Sequence, residues 1–294
     1  MNRSHKRFWE GIAILLALFA VNCGAFAQTR TILITVEDPR PMAAAILQLE
    51  ELSGIPINYE DMPVYYAADM KPTGVAAGQT PPPGVRLTIV PRGGQLSVPI
   101  VVDATTGRLK DIQAVNTALT ALVSAYNTSN LPGGFEFEYL NGVFFVKPVR
   151  YRDASGATLP MTPVLSVPIT FPEETRDTLT TWRLILDEVS KAAGVQIGLN
   201  LGMGALGGKT TIGAQNEPAY RVIARMLASG NSPAAASVNA SWDASLSYLF
   251  FCQPQYGCVL NVVRARPIDL CRGSGCEPYS PPPRKSGFKA PPSP

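Results

Sequence analysis

Residues 46–59 read ILQLEELSGIPINY, and residues 184–199 read LILDEVSKAAGVQIGL. Each is the end of an amphipathic helix, then a glycine, then a short apolar strand. Ile46, Leu49 and Leu52 recur at helical spacing in the first stretch, and Leu184, Ile185 and Val189 line the second. Gly54 and Gly194 stand where a helix stops, because glycine adopts the left-handed backbone that ends a helical turn at no steric cost. The same pattern written twice predicts an internal repeat.

Working outward from the first stretch, residues 31–36 (TILITV) are β-branched and strand-like, and Pro41 opens a helix over 41–53. A strand follows at 55–59, then a long Pro, Gly and Ala-rich loop over 61–83. Strands return at 86–91 and 96–102, followed by a helix at 109–126. FEFEYL and GVFFVKPV meet at Asn141-Gly142, a strong two-residue hairpin signal. The second half predicts strands at 167–171, 195–201 and 209–214, helices at 179–193 and 217–228, and a closing hairpin over 242–251 and 257–265. Both halves run strand, helix, glycine stop, strand, loop, strand, helix, hairpin. The expected fold class is α+β: two tandem small sandwiches, each with two helices packed on a short mixed β-sheet. The polar segment 150–163 reads as the linker between domains 28–149 and 164–266. The Pro-rich stretch 267–294 reads as a disordered tail.

The first 27 residues read as a signal peptide. Arg3, Lys6 and Arg7 precede the apolar run GIAILLALFAV, and Ala25-Phe26-Ala27 offers a cut that leaves Gln28 first. That run is too short to cross a membrane, which takes about 20 residues. Asn22 before Cys23 argues against lipidation there. The mature chain is therefore expected to be periplasmic or secreted, with no transmembrane segment. The leader removes three of 25 basic and one of 22 acidic residues, leaving a nearly neutral chain. A nucleic-acid binder would carry a basic stripe.

Cys252 and Cys258 flank QPQYG, and Cys271 and Cys276 flank RGSG. Proximity favours the disulfides Cys252–Cys258 and Cys271–Cys276 among the three pairings that four cysteines allow. The one histidine is His5, inside the leader. Ser-His-Asp and Cys-His catalysis and His-bearing zinc sites are thereby excluded from the mature chain.

The run ITVEDPRPMAAAILQLEELSGIPINYEDM (34–62) resembles the short N-terminal domain shared by secretins and TonB-dependent receptors. TWRLILDEVSKAAGVQIGL (181–199) and GAQNEPAYRVIARMLA (213–228) repeat the resemblance in the second half. The loop after the Tyr59 strand is longer than that family shows, and no pore or barrel segment follows. The resemblance implies a non-catalytic module for protein contact in the cell envelope, associated with a secretion or uptake machine. Its partners would be other envelope proteins, and it would carry no cofactor.

Other motifs read as decoys. GMGALG (202–207) spells a dinucleotide fingerprint, but the β-like Lys209-Thr210-Thr211-Ile212 follows where a helix is required. Gly208-Lys209-Thr210 imitates a phosphate loop, but Met203 occupies the position of its first glycine. Asp61, Asp69, Asp103 and Asp111 lack metal-loop spacing. Glu136 and Glu138 share one strand face. They read as its wet side, and the rival reading is a carboxylate pair of a secreted glycan hydrolase. Tyr65 and Tyr66 sit in the long loop as a partner contact, or else pack on their own sheet. A third reading is a periplasmic ligand-binding protein with its cleft between the two copies.

Overall fold

The computed structural model describes residues 28–73, 88–201, 208–230, 245–253 and 257–265. The leader, the GMGALG segment at 202–207, Trp242, and the segment 267–294 with Cys271 and Cys276 lie outside them.

The first half runs β1 (Thr29–Asp38), α1 (Pro41–Ser53), β2 (Ile57–Glu60), β3 (Met70–Thr73), β4 (Thr88–Pro91), β5 (Gly94–Asp103), α2 (Ile112–Thr128), β6 (Gly134–Leu140) and β7 (Val143–Arg152). After β8 (Thr158–Pro160) the second half runs β9 (Pro168–Asp177), α3 (Thr178–Ala193), β10 (Ile197–Leu201), β11 (Lys209–Pro218), α4 (Ala219–Gly230), β12 (Ser245–Gln253) and β13 (Gly257–Ala265). The fold is mixed α+β. Local chemistry sets the helix ends. Pro41 starts α1, while the Asp111 and Asp177 carboxylates accept the amides of Ala114 and Thr180 to cap α2 and α3, both at 2.8 Å. Gly54 (φ 71°) and Gly194 (φ 68°) end α1 and α3.

Strand pairing repeats between the halves. β1 pairs antiparallel with β5, and β9 with β11, each as a two-stranded ribbon. β2 lies parallel to β7, which is antiparallel to β6; β10 lies parallel to β13, which is antiparallel to β12. The turn between β6 and β7 is the expected Asn141-Gly142, both at positive φ.

The sheets were expected to be separate, one per copy. Instead β12 pairs parallel with β2, and a seven-stranded sheet runs β10-β13-β12-β2-β7-β6, with β8 beside β7. Because β12 runs with β2 while β13 and β10 run against it, the second half is turned over relative to the first. The cores follow. Phe144, Val146, Tyr59, Leu249 and Phe251 on one sheet face pack with α1 and α2, whereas Val143, Phe145, Tyr248, Phe250 and Leu260 on the other pack with α3 and α4. Alternation along each strand allows this, since successive side chains point to opposite faces. Leu249 and Phe251 thus enter the first half's core although β12 belongs to the second.

Two further expectations differ from the structure. Segment 150–163 is not an open linker: β7 continues to Arg152, and β8 folds back on it with Tyr151 opposite Leu159. The loop over 61–83 contains β3, which pairs with β4. Neither strand shows clear period-2 alternation, so both were illegible.

Candidate functional site

The strand join between the halves is a packed contact. The Phe250 carbonyl accepts the Asp61 amide at 2.8 Å, and the Tyr248 amide donates to Asn58 Oδ1 at 3.0 Å. Glu60 lies fully buried beneath, its carboxylate accepting the amides of Val164 and Leu165, the latter at 3.2 Å. Those two residues begin the second half, so Glu60 ties its entry to β2. Burial pushes the Glu60 carboxyl up to about 8, against the backbone donors and Lys147, which lower it.

Beside it, Arg40 Nε and the Tyr59 hydroxyl each donate to Asp61 at 2.6 Å. The Arg40 guanidinium lies 4.7 Å from the Phe251 ring centre, so one cation serves an acid of the first half and an aromatic of the second. Burial and the neighbouring Asp61 charge hold the Tyr59 hydroxyl well above its ordinary pKa. The cavity lined by Arg40, Tyr59, Asp61, Met62 and Tyr126 measures about 20 Å³. That is room for a single water and not for an organic ligand. The join carries a buried polar cluster within an apolar sheet.

The outer edges differ. Among the described residues no strand pairs the far side of β6 or of β10. In the β6–β7 hairpin, alternation from the two-residue turn aims the amides and carbonyls of Phe135, Phe137 and Tyr139 outward. Asn127 covers those of Phe135, accepting its amide at 2.9 Å and donating to its carbonyl at 2.8 Å. Among the described residues nothing pairs with those of Phe137 and Tyr139. On β10, the Gln196 carbonyl accepts the Cys258 amide at 2.8 Å, which fixes the parallel pattern and aims the backbone groups of Ile197, Leu199 and Leu201 outward. β10 reads IGLNL, without the charge or proline that commonly blunts a sheet edge.

Glu136 and Glu138 do share a face, across from Lys147, whose Nζ lies 3.8 Å and 3.1 Å from them. Lys147 also stacks 4.7 Å from the Tyr220 ring centre of α4. One lysine serving both carboxylates, with Glu136 largely exposed, describes a solvated ion cluster at the rim. Tyr65 packs edge-on against Tyr151, with ring centres 5.5 Å apart, and is 47% exposed. Tyr66 is half-buried, with the Arg152 guanidinium 5.8 Å from its ring. The two tyrosines pack against the β7–β8 extension, one strand from the open β6 and at the opposite end of the sheet from β10. Cys252 and Cys258 form the expected disulfide across the β12–β13 turn. Tyr59, Trp182 and Tyr220 are core residues. Lys209, Thr210 and Thr211 belong to β11, and among the described residues no His, Cys, Asp and Glu group is placed to hold a metal.

The buried acids of the seam were missed from sequence. Their signal was the contrast between INYED (57–61) and its counterpart IGLNL (197–201), where acids replace apolar or neutral residues at matched distances from the stop glycine. No protein-family model, no curated protein and no solved structure matches this chain.

Proposed function

We propose that this chain is an exported, non-catalytic protein-interaction module of the cell envelope, periplasmic or secreted. Its halves are two tandem sandwiches of the short N-terminal domain type, working beside a secretion or uptake machine. The observation that carries the reading is the pair of open outer strands on a sheet whose inner edges already bind one half to the other. A partner adding a strand beside β10 gains main-chain hydrogen bonds to Leu199 and Leu201, with the α3 and α4 core as backing. The hydrolase alternative needs two carboxylates converging on a concave site, and Glu136 and Glu138 share a lysine on an open rim. A ligand cleft between the halves gains less support, since β12 and β2 are paired where the described halves meet.

The test is affinity capture from native envelope with two baits, the wild type and Leu199→Pro. Proline at 199 removes an outward amide and leaves the β13 ladder intact. The partner retained by the wild type is expected to be lost on the variant. Equal retention, or cleavage of glycan by the purified chain, defeats the reading.

A further inference from the structure

Resting on that reading, we propose that one partner of the open edges is a second copy of this chain, whose β6 adds parallel to β10 and extends the sheet head to tail. The molecule already contains this contact once. β6 and β12 are equivalent strands, as are β2 and β10, and β12 pairs parallel with β2. Tyr59 and Leu199 each stand five residues after their stop glycine. Phe250 and Phe137 each stand three residues before the last residue of their strand. Within the chain, Phe250 faces Glu60 in register and takes the Asp61 amide. Between chains the same register sets Phe137 opposite Asn200. The Phe137 amide then donates to the Leu199 carbonyl, and the Leu201 amide donates to the Phe137 carbonyl.

Among the described residues those groups are unpaired on both edges, and Asn127 occupies only the Phe135 end of β6. The direction is consistent as well. The second half is turned over relative to the first, so a further parallel join of the same kind restores the starting orientation. Successive chains then all face the same way. Such a contact is heterologous and does not close by two-fold symmetry. Sheet twist accumulates over the six strands of the main path, at about 120–150° per chain, so the product is a twisted open filament.

The contact between chains is weaker than the one within. Where Leu249 and Phe251 enter the neighbouring half's core, β6 carries Glu136 and Glu138, and charged residues on an edge oppose addition. No linker holds the partners together. Self-addition is therefore expected only at high protein concentration, and Glu136→Leu is expected to shift it to lower concentration.

Sedimentation velocity with edge-blocked variants tests this. Leu201→Pro removes the amide that donates to Phe137 and leaves β6 open; Phe137→Pro removes the amide that donates to Leu199 and leaves β10 open. Each variant alone is expected to stay monomeric where the wild type forms a concentration-dependent series of species. Their equimolar mixture is expected to form one 1:1 dimer and nothing larger. The mixture also controls for folding, since two unfolded chains would not pair in one defined stoichiometry. A wild type that stays monomeric throughout, or single variants that still self-associate, overturns the proposal. If the wild type is monomeric while a captured partner is lost on Leu199→Pro, self-addition falls and the interaction-module reading stands.

Discussion

Glu60 is the residue on which the seam turns. Its carboxyl is raised from about 4.5 to about 8 by burial, so the folded chain holds a proton there that the unfolded chain releases. The stability it contributes is full below about pH 4.5 and is lost progressively as pH rises to about 8. Urea unfolding at pH 5 and at pH 8.5 is expected to give a lower midpoint at the higher pH. Glu60→Gln keeps the shape and an acceptor for the Val164 and Leu165 amides without the proton, and is expected to remove most of that difference. An unchanged slope in the variant would mean other groups set it. Asp61 makes a second prediction. Its ion pair with Arg40 is buried, the two side chains being 7% and 11% exposed. Asp61→Ala leaves Arg40 without that carboxylate against the Phe251 ring and removes the acceptor of the Tyr59 hydroxyl. The expected loss is about 3–5 kcal/mol in equilibrium unfolding. An acid inside a strand looks like a strand end when only its neighbours in sequence are visible, which is why neither residue stood out before the partner strand was placed.

Among elements, the helices and stop glycines were the most legible. α1 and α3 carry a clear 3.6-residue apolar period, and each ends on a glycine that tolerates positive φ. The β6–β7 hairpin was equally plain from Asn141-Gly142. Strand lengths were not. β1 and β9 run to ten residues, past their apolar alternation, because each pairs with a long partner in a ribbon exposed on one face. The β12–β13 hairpin carries the Cys252–Cys258 bridge and presents Leu249 and Phe251 to the first half's core. The bridge closes a loop with a sequence separation of 6, for which chain entropy gives about 2 kcal/mol. Replacing both cysteines by serine is expected to lower stability by about that amount in chemical denaturation while leaving the oligomeric state unchanged. A much larger loss would mean that the bridge holds the join itself.

For the whole molecule, the repeat was legible and its consequence was not. Nothing in ILQLEELSGIPINY or LILDEVSKAAGVQIGL says that the second copy turns over and shares its sheet with the first. That depends on which edge each copy leaves open and on Leu249 and Phe251 facing away from their own helices. A single sheet with helices from opposite halves on opposite faces should unfold as one unit, since each core draws strands from both halves. Fluorescence and far-UV circular dichroism are expected to report coincident unfolding, and two separated transitions would argue for independent domains. The same architecture adds the ends of the sheet to Tyr65 and Tyr66 as candidate interaction surface.

The most direct test of that surface is residue-resolved hydrogen exchange on the chain alone at low concentration and in the presence of the partner that the proposed affinity capture is expected to yield. The Leu199 and Leu201 amides are expected to exchange fast in the free chain and to slow markedly in the complex, while those of α1 and α2 stay unchanged. Protection that appears at Tyr65 and Tyr66 or around the Arg40–Asp61 seam, with the β10 amides still fast in the bound state, would contradict the account.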